Sequence, residues 1–302
     1  MLNEFYQHYW EHSVEYDFRR LLEITLSEDV NVSGDITSLA LVDTSTYGSA
    51  TITARQNGIL AGMPTIAIIT ESIDKKLRVT NCLNDAESVT PGTQVAEISG
   101  PALSILAAER PILNFISRLS GIATLAEQYV DAVKGTNVKI YDTRKTTPGW
   151  RLLEKYAVVC GSGKNHRTGL FDAVLIKDNH LFLGQTTEAN FSPAAAVRKA
   201  KDFVDQHFSH YVIVEVEVDT LEQLRDVLPE TPDIVLLDNM SVEQLQEAVE
   251  IRNEISPAVA LEASGGINLT TVRAVAETGV ERISVGALTH SATALDFGLD
   301  WK

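Results

Sequence analysis

The spacing of hydrophobic residues gives the first part of the chain a mixed helical and strand character. Residues 14–27 carry apolar residues at helical spacing, and the segment EDVNVSGDITS then ends that period with Asn, Ser, Gly and Asp. Next, ATITARQ, GILAG, LRVTNCL and QVAEIS have the pattern of short strands, around one helical run, MPTIAIITESI. These patterns predict an α+β module that lacks the crossover helices of a parallel sheet.

A long helical pattern follows between residues 101 and 134. An interior proline removes a backbone hydrogen bond and clashes with the preceding turn, so Pro111, together with Gly121, predicts a division into two or three helices. Arg110 and Arg118 interrupt the apolar surroundings. Their stems could lie along apolar surface with the charge in water, which would require no function for either residue.

Beyond Thr136, short β-rich runs alternate with helical segments, which favours a parallel sheet of strand–helix–strand units. The runs are KIYD, AVLIKD, YVIVEVE, DIVLLD, AVALEA and RISVG. Each run is apolar until its carboxyl end, where polar or glycine residues follow. In an α/β barrel this end is the reactive face. An open doubly wound sheet also binds ligands there and is the alternative fold.

Composition narrows the class of protein. A chain of 302 residues with 44% hydrophobic content can form one barrel-sized domain and a smaller companion. No apolar run reaches the roughly 18 residues of a membrane span, and the amino terminus lacks the pattern of a secretory signal, so we expect a cytoplasmic protein. Cys82 and Cys160 are too few for a disulfide framework.

The charge is distributed unevenly. The whole chain has a net charge of −16, yet the window from Lys139 to His180 holds eight Lys/Arg against four acids. A local positive island in an acidic protein suits the capture of a small polyanion. Nucleic acid would require a broad basic face instead.

Five of the cationic side chains in this window belong to connections that follow predicted strands, and they could meet at one mouth. They are Arg144, Lys145, His166, Arg167 and Lys177. Arginine offers a planar fork to carboxylate or phosphate, whereas lysine acts as a point charge. Any one of them alone could equally be a solvated surface cation.

Acidic and glycine residues follow other predicted strands. Glu217 and Asp238 offer the oxygen ligands that magnesium prefers, or acceptors for ribose hydroxyls, although Asp238 could instead cap the following helix. Ser264-Gly265-Gly266 and Gly286 leave backbone amides open to a phosphate, although a simple turn would also use glycine here.

The motifs DTRKTTPG, NHR-x-GL-x-D-x-VLIKDNH, EVEVD, LLDN, E-x-SGG and VGALTH resemble, in order and spacing, the quinolinate phosphoribosyltransferase family, also called nicotinate-nucleotide pyrophosphorylase (carboxylating). EDVNVSGDITS and ERPILNFISRLSGIAT extend the resemblance to nearly the whole chain. It implies an α/β fold of the type II phosphoribosyltransferases. Residues 1–120 would form an α/β sandwich, residues 121–287 an incomplete α/β barrel of about seven strands, and the tail, residues 288–302, could pack on the sandwich.

The resemblance also implies a homodimer with shared sites, which transfers phosphoribosyl from phosphoribosyl pyrophosphate to quinolinate with decarboxylation in NAD biosynthesis. The residues implied for quinolinate are Arg110 (from the neighbouring subunit), Thr143, Arg144, His166, Arg167 and Lys177. Those implied for phosphoribosyl pyrophosphate are Lys145, Lys177, Glu217, Asp238, Ser264, Gly265, Gly266 and Gly286. Glu217 and Asp238 would hold Mg²⁺, directly or through water, and no organic cofactor is implied.

The sequence departs from the family pattern at Pro111, at Ser162 and at Asn31-Val32. None of these positions carries a ligand group, but Pro111 could shift the aim of Arg110. Three other classes of protein stay open. They are an aldolase-like barrel with Lys177 as Schiff-base nucleophile, a related barrel linked to molybdenum transport, which should lack the complete NHR and KDNH motifs, and a sensor that binds pyridine dicarboxylate without turnover.

Overall fold

The computed structural model describes residues 4–30, 34–185 and 191–302, so Asn31 and Val32 lie outside the described residues. These residues form two compact units. The parallel-sheet unit contains residues 4–6, Gln128–Arg144 and Lys164–Ala287. The antiparallel-sheet unit contains Gln7–Glu127, Lys145–Gly163 and Leu288–Lys302.

Helices and strands alternate through the second half of the chain. Within the described residues, the helices are α1 (His12–Asp29), α2 (Ile36–Leu41), α3 (Met63–Ile73), α4 (Ala102–Ala132), α5 (Arg151–Cys160), α6 (Asp178–Gln185), α7 (Pro193–His207), α8 (Leu221–Val227), α9 (Val242–Ile255), α10 (Val272–Ala276) and α11 (Ala287–His290). The strands are β1 (Tyr47–Ala54), β2 (Gly58–Ile59), β3 (Arg78–Asn81), β4 (Ser88–Val89), β5 (Gln94–Pro101), β6 (Lys139–Tyr141), β7 (Ala173–Ile176), β8 (Ile213–Val218), β9 (Ile234–Asp238), β10 (Ala260–Ser264), β11 (Arg282–Ser284) and β12 (Phe297–Trp301).

The parallel sheet has the order β6-β11-β10-β9-β8-β7 within the described residues. From β7 to β11, strands that follow one another in sequence are neighbours, and β11 then pairs with β6, the first strand, as in a barrel. A doubly wound sheet would reverse its order at a switch point, so that alternative is wrong. Lys164 forms a single parallel bridge to Tyr141 beside β6, in place of a full further strand. The six strands predicted from the β-rich runs are confirmed.

Side chains inside this sheet lie in layers because alternate residues of a strand point to the same face. The lowest layer holds the first residues of four strands, and Phe5 packs against them. These residues are Ala173, Ile213, Ile234 and Ala260. Two positions further along β8 and β10 are the fully buried Glu215 and Glu262. Another two positions along are Glu217 and Ser264, at the carboxyl ends of the strands.

Capping residues turn the chain back after these strand ends. Thr220 and Ser241 each form a capping box, with Gln223 and Gln244 respectively, at the start of α8 and α9. Ser241 therefore caps the helix after β9, and the alternative that Asp238 is that cap is wrong.

The antiparallel-sheet unit is built on the order β12-β1-β5-β3. Strand β1 pairs with β5 from Tyr47↔Pro101 to Thr53↔Gln94, and β12 from the carboxyl-terminal tail pairs with the other edge of β1. The predicted strand and helix runs of this half are confirmed, since ATITARQ overlaps β1, QVAEIS lies in β5 and MPTIAIITESI forms α3.

The predicted division of the long helical pattern is wrong, because α4 continues through both Pro111 and Gly121. Ile112 and Phe115 are buried beside the proline, and this burial offsets the lost backbone bond. A Cβ atom at Gly121 would lie 2.1 Å from the carbonyl oxygen of Thr293, so the glycine permits a close approach of the tail.

The sequence suggested that the charged end of Arg118 could lie in water, but in the structure this group is held by protein partners. The Arg118 guanidinium donates to the buried Glu154 carboxylate at 2.8 Å and to the carbonyl oxygens of Ala292 and Thr289. Its role in the antiparallel-sheet unit is therefore structural. Within residues 4–30, 34–185 and 191–302, no helix has both the length and the apolar character needed to cross a lipid bilayer.

Candidate active site

Lys177 and Glu217 meet at the carboxyl ends of β7 and β8. Lys177 Nζ donates a hydrogen bond to Glu217 Oε2, and Glu217 is half-buried. Burial raises the pKa of Glu217, as do the negative charges of Asp238 and Asp178, and Lys177 offsets only part of this rise. The rim therefore holds several oxygen acceptors close together, with one lysine among them.

Asp238, at the end of β9, is held by the next residue and by the neighbouring strand. Asn239 has a φ of +54°, donates from Nδ2 to Asp238 at 2.6 Å and donates its backbone amide to the Ser264 carbonyl oxygen at 2.9 Å. A Cβ atom on Gly265, where φ is +93°, would lie 2.2 Å from Asn239 Oδ1. Gly266 (φ +64°) faces open space, so its backbone is accessible to a ligand. Glycine is thus required at position 265 because Asn239 lies so close to it. Gly266 leaves an open surface beside the carboxylates of the rim.

Arg144 and Arg167 bring two guanidinium groups near each other beyond β6. Burial lowers the pKa of Arg167 and so does the charge of Arg144, while Glu215 and Asp172 act in the opposite direction. Arg144 Nε is buried and has no hydrogen-bond partner among the described residues. Two close cations, one with an unsatisfied donor, form a site that an anion would stabilise.

Asp142 fixes the segment that carries His166 and Arg167. Its fully buried carboxylate accepts the backbone amide of His166 at 2.8 Å and the side-chain amide of Asn165 at 2.7 Å. The Asp142 amide in turn donates to the Lys164 carbonyl oxygen at 2.9 Å. This arrangement holds the cationic segment against the end of β6.

His166 points into the barrel interior, where both of its ring nitrogens have partners. Nε2 lies 3.1 Å from Glu215 and 3.3 Å from Glu262, and Nδ1 accepts the backbone amide of Arg167 at 2.8 Å. Burial alone would lower the pKa of His166, but the two carboxylates outweigh it and raise that pKa. The ring thus links the buried carboxylates to the backbone of Arg167.

The three groups His166, Glu215 and Glu262 lie close enough together to be considered as a metal site. A metal would need the lone pair of Nε2. Because Nδ1 accepts a hydrogen bond, the proton of the neutral ring lies on Nε2, and this nitrogen then has no lone pair for a metal. Arg282 already supplies positive charge to Glu262 through a 2.7 Å hydrogen bond. These contacts favour a protonated Nε2 that faces the two carboxylates over a metal ion at this place.

The predicted site residues fall into four groups. The parallel-sheet unit holds two sets of neighbours, which are Arg144, His166 and Arg167 in one set and Lys177, Glu217, Asp238, Ser264, Gly265 and Gly266 in the other. Thr143 and Gly286 follow β6 and β11 of the same unit. Lys145 and Arg110, which are both exposed, belong to the antiparallel-sheet unit.

The sequence reasoning missed the interior partners of His166. Glu215 could have been found, since it lies two positions before Glu217 and must share its face of the strand. Glu262 lies in the same way two positions before Ser264. Arg282 and Phe5 carried no local signal, because their role depends on which strands become neighbours.

The fold and the rim together define an α/β-barrel protein built to hold a small polyanion beside a group of carboxylates. Residues 122–300 match the family "Quinolinate phosphoribosyl transferase, C-terminal domain", and residues 35–120 match the corresponding N-terminal domain. The chain belongs to the quinolinate phosphoribosyltransferase family, as its motifs predicted. The predicted fold class is confirmed as well.

Named relatives agree with this assignment. The nicotinate-nucleotide pyrophosphorylase (carboxylating) of Mycobacterium leprae is 41% identical over 290 residues, which is 95% of this chain and 98% of that protein. The mitochondrial quinolinate phosphoribosyltransferase (decarboxylating) 2b of Nicotiana tabacum is 40% identical over 302 residues, covering 94% and 82%. A solved nicotinate-nucleotide pyrophosphorylase from Francisella tularensis superimposes with a TM-score of 0.86 at 40% identity, covering 95% and 96%.

Proposed function

We propose that this chain transfers the phosphoribosyl group of phosphoribosyl pyrophosphate to quinolinate and releases pyrophosphate and carbon dioxide, which leaves nicotinate mononucleotide for NAD biosynthesis. The observation that carries the proposal is the pair of guanidinium groups Arg144 and Arg167, with the unsatisfied buried Nε of Arg144. A planar dicarboxylate matches such forked donors, and each charge-assisted hydrogen bond contributes roughly 1.5–3 kcal/mol.

Quinolinate would lie against the cationic end of the rim. Arg144, Arg167 and Lys177 would hold its carboxylates, with Thr143 beside them. His166, which was predicted to bind quinolinate directly, has partners at both ring nitrogens and would act on this subsite through Arg167, whose backbone amide its Nδ1 accepts. Arg110 would come from a second copy of the chain. Within one copy its side chain is 68% exposed and forms an ion pair with Glu109, in which Arg110 Nη2 lies 3.4 Å from Glu109 Oε1.

Phosphoribosyl pyrophosphate would lie across the acidic and glycine-rich end. Lys145 and Lys177 would contact its pyrophosphate, and Glu217 and Asp238 its ribose hydroxyls. Ser264, Gly265, Gly266 and Gly286 would receive the 5′-phosphate. Gly266 supports this placement, because open space lies over its backbone.

Magnesium fits the acidic end of the rim. The negative charges of Asp238 and Asp178 raise the pKa of Glu217, which indicates that the carboxylates repel one another and would be stabilised by a cation. Glu217 and Asp238 would hold Mg²⁺, directly or through water. When bound, the ion would neutralise charge on the pyrophosphate.

The reaction would proceed in two steps. The pyridine nitrogen lone pair forms a bond to the anomeric carbon, and the carbon–oxygen bond breaks with its electron pair leaving on pyrophosphate. In the transition state of this step, positive charge on the sugar would face Glu217 and Asp238, while negative charge on the leaving group would face Lys145 and Lys177. The alkylated ring next accepts the electrons of the adjacent carbon–carboxylate bond, carbon dioxide leaves, and the ring carbon takes up a proton from solvent.

The direct test is turnover by the purified chain with both substrates and Mg²⁺. We expect quinolinate-dependent release of pyrophosphate. Binding of quinolinate without pyrophosphate release would instead favour a sensor, and an adduct trapped by borohydride at Lys177 would favour an aldolase-like enzyme. The proposed location is the cytoplasm, and the proposed assembly is a homodimer with shared sites.

A further inference from the structure

The segment Glu4–Tyr6 belongs to the parallel-sheet unit, although it is far in sequence from the strands. Phe5 is only 5% exposed, and its ring packs against the first residues of β7, β8, β9 and β10. It therefore covers the end of the barrel opposite the rim that carries the proposed site.

Glu4 anchors this segment. Its carboxylate accepts hydrogen bonds from Lys139 Nζ at 2.6 Å and from the Tyr141 hydroxyl at 2.7 Å, both from β6, and lies 3.7 Å from Arg282. Burial opposes ionisation of Glu4, but these partners outweigh it and keep its pKa below the usual value. Three interactions with two strands fix the position from which Phe5 enters the barrel.

Phe5 is linked to His166 directly, by a contact between the two rings, and indirectly, through Arg282. Directly, the two ring centroids lie 4.4 Å apart at an angle of 31°. Indirectly, the Arg282 guanidinium lies 5.1 Å from the Phe5 centroid and 3.6 Å from the Tyr141 centroid, between the two rings. Its Nη1 and Nη2 atoms are buried without hydrogen-bond partners among the described residues, so the two aromatic faces, together with the Glu4 carboxylate 3.7 Å from Nη1, are their stabilising contacts.

This arrangement connects the closed end of the barrel to the rim. Arg282 donates to Glu262, Glu262 faces His166, and His166 accepts the backbone amide of Arg167. We propose that Phe5 is a positioning residue, which holds His166 and through it Arg167 in the geometry that binds quinolinate. The proposal rests on the proposed function, since it uses Arg167 as a quinolinate ligand.

The test compares three variants by the KM for each substrate and by thermal denaturation. Phe5→Ala removes both the apolar plug and the ring contacts, whereas Phe5→Leu keeps the plug and removes only the ring. Tyr6→Ala is the matched control, because it removes a neighbouring ring that is 58% exposed. Because Phe5→Leu removes the ring contact with His166 and keeps the apolar plug, we expect it to raise the KM for quinolinate about fivefold, equivalent to ~1 kcal/mol.

In this prediction the KM for phosphoribosyl pyrophosphate stays within about twofold of wild type, and the melting temperature of Phe5→Leu stays close to that of Tyr6→Ala. A quinolinate KM unchanged in Phe5→Leu, or an equal rise in both KM values, would overturn the inference alone. Wild-type protein that does not turn over quinolinate would overturn the proposed function and the inference together.

Discussion

Arg282 Nε donates a hydrogen bond of 2.7 Å to the Glu262 carboxylate, and both side chains are almost fully buried on neighbouring strands. Burial opposes ionisation of each group, yet His166 and Arg282 together lower the pKa of Glu262, and Glu262 raises that of Arg282. The barrel interior therefore contains a permanent ion pair next to His166.

Breaking this pair should destabilise the fold. Arg282→Met leaves Glu262 buried with one cationic partner fewer, and we expect the free energy of unfolding to fall by about 3–5 kcal/mol in urea titrations. The double variant Arg282→Met with Glu262→Leu should recover part of this loss, since no uncompensated carboxylate remains. Equal stability of the wild type and Arg282→Met would contradict the assignment of an ion pair.

Arg144 should contribute to quinolinate binding. Arg144→Ala is expected to raise the KM for quinolinate about tenfold or more, equivalent to ~1.4 kcal/mol, with a smaller effect on the KM for phosphoribosyl pyrophosphate. Arg198→Ala is the control, because that arginine is 57% exposed and pairs with Glu230 at the surface. An unchanged KM in Arg144→Ala would remove this residue from the site.

Gly265 should matter for the sugar phosphate. Gly265→Ala places a methyl group 2.2 Å from Asn239 Oδ1 and should raise the KM for phosphoribosyl pyrophosphate about tenfold. Gly279→Ala is a matched control, since its φ of +97° is equally unfavourable for alanine but its Cβ atom would come no closer than 3.4 Å to Val249. If both variants alter the KM equally, backbone strain and not the phosphate site is responsible.

Magnesium dependence should follow the acidic rim. Removing divalent cations with EDTA is expected to abolish turnover, and added Mg²⁺ to restore it. Asp238→Asn should raise the Mg²⁺ concentration for half-maximal rate about tenfold, whereas the exposed Asp219→Asn should leave it unchanged. Full activity in EDTA would exclude a metal requirement.

Sharing of the site between two copies can be tested with inactive variants. Arg110→Ala and Lys177→Ala should each have low activity alone. An equal mixture should regain up to about one quarter of the wild-type rate, because half of its dimers are mixed and one of the two sites in each mixed dimer is intact, so isolated mixed dimers should reach about one half. The mixture should be prepared by refolding or co-expression with two tags, so that mixed dimers can be isolated. Isolated mixed dimers without activity would contradict a contribution of Arg110 from the neighbouring copy.

The sequence predicted the strands of the barrel and the polar residues at their ends, because both depend on local pattern and on the common direction of parallel strands. It failed at α4, where packing around Pro111 and the close approach of Thr293 to Gly121 override the local helix-breaking tendency. The interior face of Glu215 and Glu262 could have been predicted from their spacing to Glu217 and Ser264, but their contact with His166 could not, since it depends on how separate strands are placed in the barrel.

We expect transfer to the ring nitrogen of quinolinate to precede loss of the carboxylate. This order is tested most directly with quinolinate labelled in the carboxylate next to the nitrogen, by counting labelled carbon dioxide and pyrophosphate. We expect one labelled carbon dioxide and one pyrophosphate for every nicotinate mononucleotide formed, and no labelled carbon dioxide when phosphoribosyl pyrophosphate is omitted. Labelled carbon dioxide released without phosphoribosyl pyrophosphate, or pyrophosphate released without quinolinate at the same rate, would contradict it.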